Sequence, residues 1–265
     1  LVIRGGPGGA TLTINSGAKV ESTDGYIADS RGSVGTVVVS GPGSTWDIVD
    51  ANPNGDRMLF VGGFEGGIYG GKGTLIVENG GKVSAKETYV GALQEGDGTL
   101  VVRGAGSMLN TEFLGVAYGA LTLNTATVRI EDGALVNTNK TYFENGTVLV
   151  TGDNTRWVNT GEFTIGDSFT VEKGAVVSTN TAILREDEST DTIQAAIDGA
   201  GSELKVADRL LIGEAGRANL SIANGGKLSV GGDIVLSAVG GINNEGMGNL
   251  TIGGKVNLNN IAEPI

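Results

Sequence analysis

The chain has 265 residues, a formal net charge of −12, no cysteine and no histidine. Those absences exclude disulfides, thiolate nucleophiles, cysteine metal cages and any Ser-His-Asp relay. The acidic balance argues against nucleic-acid backbones and anionic lipid surfaces as partners.

In chain order, a short phrase keeps returning. It reads ATLTINSGAKV at 10–20, GTLIVENGGKV at 73–83, ATVRIEDGALV at 126–136, DSFTVEKGAVV at 167–177 and ANLSIANGGKLSV at 218–230. Its apolar residues alternate with period two, the signature of a strand. A glycine (Gly17, Gly80, Gly133, Gly174, Gly225) then marks a bend. A second phrase alternates with the first: TVVVSGPGSTWDI at 36–48, TLVVRGAGSMLNT at 99–111, TVLVTGDNTRWVN at 147–159 and QAAIDGAGSELKV at 194–206. Its bend glycines are Gly41, Gly104, Gly152 and Gly199, and the hydroxyl residues Ser44, Ser107, Thr155 and Ser202 follow. Two residues on sit Trp46, Leu109, Trp157 and Leu204. A slot shared by tryptophan and leucine points into a core; the rival reading makes the tryptophans sugar-stacking platforms.

A third element follows the bends: YIA at 26–28, LFVG at 59–62, YVG at 89–91, FLG at 113–115, FTIG at 163–166 and LLIG at 210–213. Its end comes eleven residues after Gly17, Gly80, Gly133 and Gly174 and twelve after Gly225. With Gly253 as the last bend, successive bend glycines are 19 to 39 residues apart, which suits one coil of several short strands. The expected fold is all-β, a parallel β-helix of about ten rungs, and right-handed because parallel crossovers are almost always so. It forms one unit over 1–265 and, at ~4.8 Å per rung, a rod roughly 50 Å long. A propeller or up-and-down barrel is the rival.

The alternating phrases resemble the repeats in passenger domains of classical autotransporters of Gram-negative bacteria. GTLIVENGGKV, TYVGALQEGDGTLVVRGAGSMLNT and YIADSRGSVGTVVVSGPGSTWDI carry the resemblance, which covers nearly the whole chain. It implies a β-helical stem exported across the outer membrane, at the cell surface or secreted, and freedom from cysteine is usual for such passengers. The implied function is non-enzymatic: an adhesin, self-associating protein or virulence factor. Its partners would be a host-cell surface protein or glycan, or other passengers. A released ligand that activates a host-cell receptor, of growth-factor type for example, is the alternative; a polysaccharide-active enzyme is the second. The chain opens at Leu1 within a strand-like phrase, with neither a signal-peptide pattern nor a membrane barrel. It therefore reads as an excised fragment that does not itself insert into a membrane.

Specificity is expected where the repeat is irregular. The longest step holds DIVDANPNGDRM at 47–58, followed by GGFEGGIYGGKG at 62–73. Asn54, Arg57, Phe64, Ile68 and Tyr69 are the candidate partner-binding residues there, and deletion of 62–71 is expected to spare the fold. The acidic stretch 185–191 offers oxygen ligands for Ca²⁺ but lacks EF-hand or nonapeptide spacing, so it reads as a solvated loop. The segment 237–247 reads as another surface loop. Asp47 and Asp50 lie near Arg57 without a glycosidase motif, and the glycine string at 63–70 sits in no βαβ unit. No catalytic residue, metal or cofactor is expected.

Overall fold

The computed structural model describes residues 1–49, 57–63, 70–92, 96–119, 125–185, 192–214, 216–237, 240–244, 249–252 and 256–259. The strand β1 (Val2–Ile3) precedes a first rung of β2 (Ala10–Ile14), β3 (Lys19–Ser22) and β4 (Gly25–Ile27). The second rung holds β5 (Val34–Ser40), β6 (Thr45–Ile48) and β7 (Met58–Val61). In the third and fourth rungs the last two strands fuse, giving β8 (Lys72–Glu78) with β9 (Lys82–Val90) and β10 (Asp97–Arg103) with β11 (Met108–Val116). The fifth has β12 (Thr125–Glu131), β13 (Leu135–Thr138) and β14 (Lys140–Phe143); the sixth has β15 (Thr147–Thr151), β16 (Arg156–Asn159) and β17 (Glu162–Ile165). Fusion recurs in the seventh, β18 (Ser168–Glu172) and β19 (Val176–Leu184), and in the eighth, β20 (Thr192–Asp198) and β21 (Glu203–Ile212). The ninth contains β22 (Arg217–Ala223), β23 (Lys227–Val230) and β24 (Ile234–Ser237), and the tenth β25 (Gly240–Asn244), β26 (Asn249–Ile252) and β27 (Val256–Asn259).

Each strand pairs in parallel with its counterpart one rung away, the pattern expected of a parallel β-helix. The first strands of the rungs make a ten-stranded sheet, and the remaining ones a seventeen-stranded sheet with two faces. Propeller blades and up-and-down barrels pair antiparallel; among the described residues the one antiparallel contact recorded is a single bridge, Gly5 to Val34.

Register turns the sequence phrases into buried columns. Val37, Leu75, Leu100, Val128, Val148, Phe169, Ala195 and Leu220 stack in succession on the first sheet, and all lie in the core. On the next face the column runs Trp46, Val83, Leu109, Val136, Trp157, Val177, Leu204. Trp46, Leu109 and Trp157 thus each lie between two valines from first-type rungs, and Leu204 lies between Val177 and Leu228. Small and large alternate so that successive layers fill one cross-section at interior density. Both indoles are fully buried and each donates its N–H, Trp46 to Ser22 Oγ at 3.0 Å and Trp157 to Thr138 Oγ1 at 2.9 Å. The slot is core, and neither tryptophan is a sugar platform. Gly25 leaves the room for Trp46, since a Cβ there would fall 2.6 Å from the indole.

The two bends differ in kind. All nine glycines at Gly17 through Gly225 named above have positive φ. In the first type a second left-handed residue precedes the glycine: Ser16, Asn79, Asp132, Lys173 and Asn224 have φ of 51–57°. Two successive positive-φ residues make a tight turn, and Asn and Asp tolerate that region best. In the second type the left-handed residues flank one ordinary residue, as in Gly104 (φ 85°) and Gly106 (φ 83°) around Ala105.

The hydroxyl of the second-type phrase ties rungs together. Ser44, Ser107, Thr155 and Ser202 are buried and accept the N–H of the first-type glycine one rung back. The acceptors serve Gly17 at 3.0 Å, Gly80 at 2.9 Å, Gly133 at 2.8 Å and Gly174 at 3.0 Å. Toward the following rung, Gly41, Gly104, Gly152 and Gly199 donate to the carbonyls of Glu78, Glu131, Glu172 and Ala223 at 3.1–3.2 Å. Each second-type bend is therefore bonded to both neighbours.

Two expectations are corrected. Within 237–247, Gly240–Asn244 is strand β25, paired with β22, and Ile242 lies beside Leu220. Stacking on a preformed edge outweighs the turn-like composition, since strand preference is set mainly by context. The phrase FLG at 113–115 is shifted by two residues relative to YVG. Gly115 pairs with Tyr89, and Val116 with Val90, so the left-handed bend falls on Ala117 (φ 49°), opposite Gly91 (φ 64°). Gly253 lies outside the described residues.

Candidate functional site

The third strand of each rung turns alternate residues outward, and in four of the first five rungs that position is aromatic. Tyr26, Phe60 and Tyr89 follow one another in register. Tyr26 and Phe60 are stacked at 5.6 Å between ring centroids, and Phe60 and Tyr89 at 5.0 Å. The next register position is Gly115, followed by Tyr142. Gly115 has an ordinary φ, so conformation does not demand glycine. Space does, because a Cβ would meet Phe113, Tyr118 and Tyr89 side-chain atoms, each at 3.0 Å. The rings of Phe113 and Tyr118 pack edge-on at 5.6 Å, and Tyr118 reaches Tyr142 edge-on at 5.6 Å. The column is thus six rings long on the face of the sheet away from the core; Phe60 within it is buried, Tyr118 is exposed, and the other four rings are half-buried.

Beside it lies an open depression of about 360 Å³. Tyr89, Phe113 and Tyr118 form its apolar side; Glu87, Glu112 and Asn139 are among the polar groups facing them. The Tyr89 hydroxyl donates to Glu87 Oε2 at 2.6 Å, which fixes that carboxylate against the ring. Glu112 is exposed, and its carboxylate has no hydrogen-bond or ion-pair partner among the described residues. Lys140, also at the edge, is 3.1 Å from Glu162 on the next rung, so its charge is already opposed. The backbone N–H of Gly119 donates to Glu144 at 2.8 Å, which holds the turn that carries Tyr118. Tyr118 is 41 % exposed, one of four large apolar or aromatic side chains so open to water among the described residues.

Of the residues expected from sequence to bind a partner, Asn54, Phe64, Ile68 and Tyr69 lie outside the described residues. Arg57 is described. It has φ 49°, and its carbonyl accepts the N–H groups of Lys86 at 3.1 Å and Glu87 at 3.4 Å, so its backbone is pinned to the strand that supplies the depression. Sequence reading missed the depression itself. Its signal was an aromatic at the outward position of successive third elements, Tyr26, Phe60 and Tyr89, but the two-residue shift around Gly115 hid the continuation.

Other ionisable groups serve the stack. Burial disfavours the charge on Glu203, yet Ser229, Lys227 and Lys205 together hold its carboxyl below the usual range. Lys173, aided by Thr151, does the same for Glu172, against a smaller opposing effect of burial. Arg185 of the acidic stretch lies 3.8 Å from Glu214, while 186–191 is outside the described residues. Among the described residues no group of three or more carboxylates is placed to hold a metal ion, and no helix is long and apolar enough to cross a membrane. Comparison of the chain with protein-family models, with curated proteins and with solved structures found no match.

Proposed function

We propose that this chain is the stem of an autotransporter-type passenger, a right-handed β-helix displayed on or released from a bacterial surface, and that it acts by contact rather than catalysis. Right-handedness follows from strand chirality, which fixes nearly all parallel crossovers. The repeat phrases supply the resemblance. The observation that carries the contact reading is the outward aromatic column ending in the depression around Tyr118. Aromatic side chains gathered outside the core, with at least one open to water as Tyr118 is, mark interaction surfaces. The partner class is a host-cell surface protein or glycan, or another passenger.

The test is binding of the labelled, monomeric chain to cultured host cells before and after protease or glycosidase treatment of the cells. Saturable binding is expected. Absence of binding to treated and untreated cells, together with products released from a polysaccharide panel, would replace contact by catalysis.

A further inference from the structure

We infer that the depression on the third to fifth rungs is a receptor for an alkylammonium group, supplied by a lysine side chain on a partner protein. This rests on the contact reading above and names the chemistry at that surface.

Three observations converge. The apolar wall is made of mutually tilted rings: Tyr89 meets Phe113 at 53° and Tyr118 at 47°, while Phe113 and Tyr118 stand at 80°. Rings in different planes offer a concave corner rather than one flat platform. A compact cation gains from each ring face turned toward it, whereas a pyranose ring needs a single open face. One face of Tyr89 is already covered by Phe60. The second observation is charge. Glu87 and Glu112 face that corner. Glu87 keeps one oxygen on the Tyr89 hydroxyl, and Glu112 is unpaired among the described residues. The local cation, Lys140, is engaged with Glu162. Ammonium is the complement of two carboxylates against aromatic carbon. The third is rigidity: Tyr89 and Phe113 are set by strand register, Tyr118 sits on a turn tied to Glu144 through the Gly119 N–H, and Gly115 provides the space beside Phe113 and Tyr118. A preformed corner loses little side-chain entropy on binding. The chain's charge of −12 also draws basic surfaces toward it.

The test titrates the isotope-labelled chain with an N-acetylated, C-amidated Gly-Lys-Gly peptide and with its norleucine counterpart, following amide shifts by NMR. The lysine peptide should shift Glu112, Gly115, Tyr118 and Gly119 saturably, and the norleucine peptide should not. A Glu87→Gln/Glu112→Gln variant should weaken lysine binding by roughly tenfold, equivalent to one step of affinity on the usual scale. The control variant Asp132→Asn/Asp153→Asn removes the same charge from exposed bends and should change it less than about twofold. Tyr118→Ala, at an exposed position that can be truncated without opening the core, should also weaken binding. Equal loss in both charge variants would overturn the site in favour of a diffuse field. Equal binding of norleucine, or shifts at these amides with a neutral disaccharide but not with lysine, would overturn it as well. Cell binding separates the two readings. If the chain binds cells and the Glu87/Glu112 variant binds them equally, the site falls and the contact reading stands. If lysine saturates the site while no cell is bound, the site stands and the contact reading falls.

Discussion

Trp157 shows how one position carries both packing and polarity. Its ring lies 4.9 Å from Phe163 in an edge-on contact, and Phe163 lies 5.5 Å from Phe169. Its N–H ends on Thr138 Oγ1, which donates to Asn159 Oδ1 at 2.8 Å; Asn159 in turn donates to Thr179 Oγ1 at 3.0 Å. Trp157→Ala would empty a layer between Val136 and Val177 and leave Thr138 short of a donor. It should cost about 3–5 kcal/mol in denaturant unfolding; an unchanged midpoint would show that the ring contributes no packing. Glu203 makes the complementary case at the surface. It is bridged to Lys205 at 3.2 Å and Lys227 at 3.1 Å, and it accepts from Ser229 at 2.8 Å. Its folded pKa is lowered, so its contribution is fully present above the unfolded value of ~4.3 and is lost as pH falls through the folded value. Glu203→Gln should therefore lower the urea midpoint at pH 7, and the gap to the parent chain should close as pH falls below about 4. A gap that stays constant with pH would mean the carboxylate's charge is not what stabilises.

At the scale of elements, a segment can be cut out where the residues on either side of it lie against each other. Gly63 and Gly70 are such a pair: a Cβ on Gly70 would lie 2.8 Å from Gly63 Cα. Their neighbours are built into the coil, with Gly62 N–H on Ile27 O at 2.8 Å and Gly71 N–H on Ala28 O at 3.0 Å. Removing 62–71 would break those bonds, so the cut has to be narrower than the sequence suggests. Excision of 64–69 with Gly63 joined to Gly70 should leave the far-UV β signal and the thermal midpoint nearly unchanged, whereas excision of 62–71 should lower the midpoint. Equal loss from both would show that 64–69 is structural. The glycine bends and the alternating Trp/Leu column were legible in the sequence because their offsets repeat from coil to coil. The partner of Ser107, a glycine N–H 27 residues away, was not, since a hydroxyl's acceptor role depends on register between rungs. Strand β25 was hidden for the same reason: Gly240–Asn244 has turn-like residues and becomes a strand by pairing with β22. The depression escaped because no one phrase contains it. Glu87, Glu112 and Lys140 come from three rungs, and Tyr118 belongs to a turn outside the repeat.

Across the whole molecule, each rung touches its two neighbours and little else, so stability is a sum of rung and interface terms rather than one shared core. Those terms are unequal. The fifth to seventh rungs hold Trp157, Phe163 and Phe169, all fully buried, together with the satisfied network of Thr138, Thr141, Asn159 and Thr179. At the first rung, Leu12 and Val20 are only partly buried against the core. Opening should therefore begin far from the aromatic layer and reach it last. Native-state hydrogen exchange should find the amides of Val158, Thr164 and Val171 among the slowest, with protection falling toward β2 and β3. Phe163→Leu, a loss of packing within that layer, should lower protection most in the fifth to seventh rungs and progressively less with each rung away. A uniform drop along the chain would mean that the rungs unfold as one unit and that nearest-neighbour stacking does not govern the molecule.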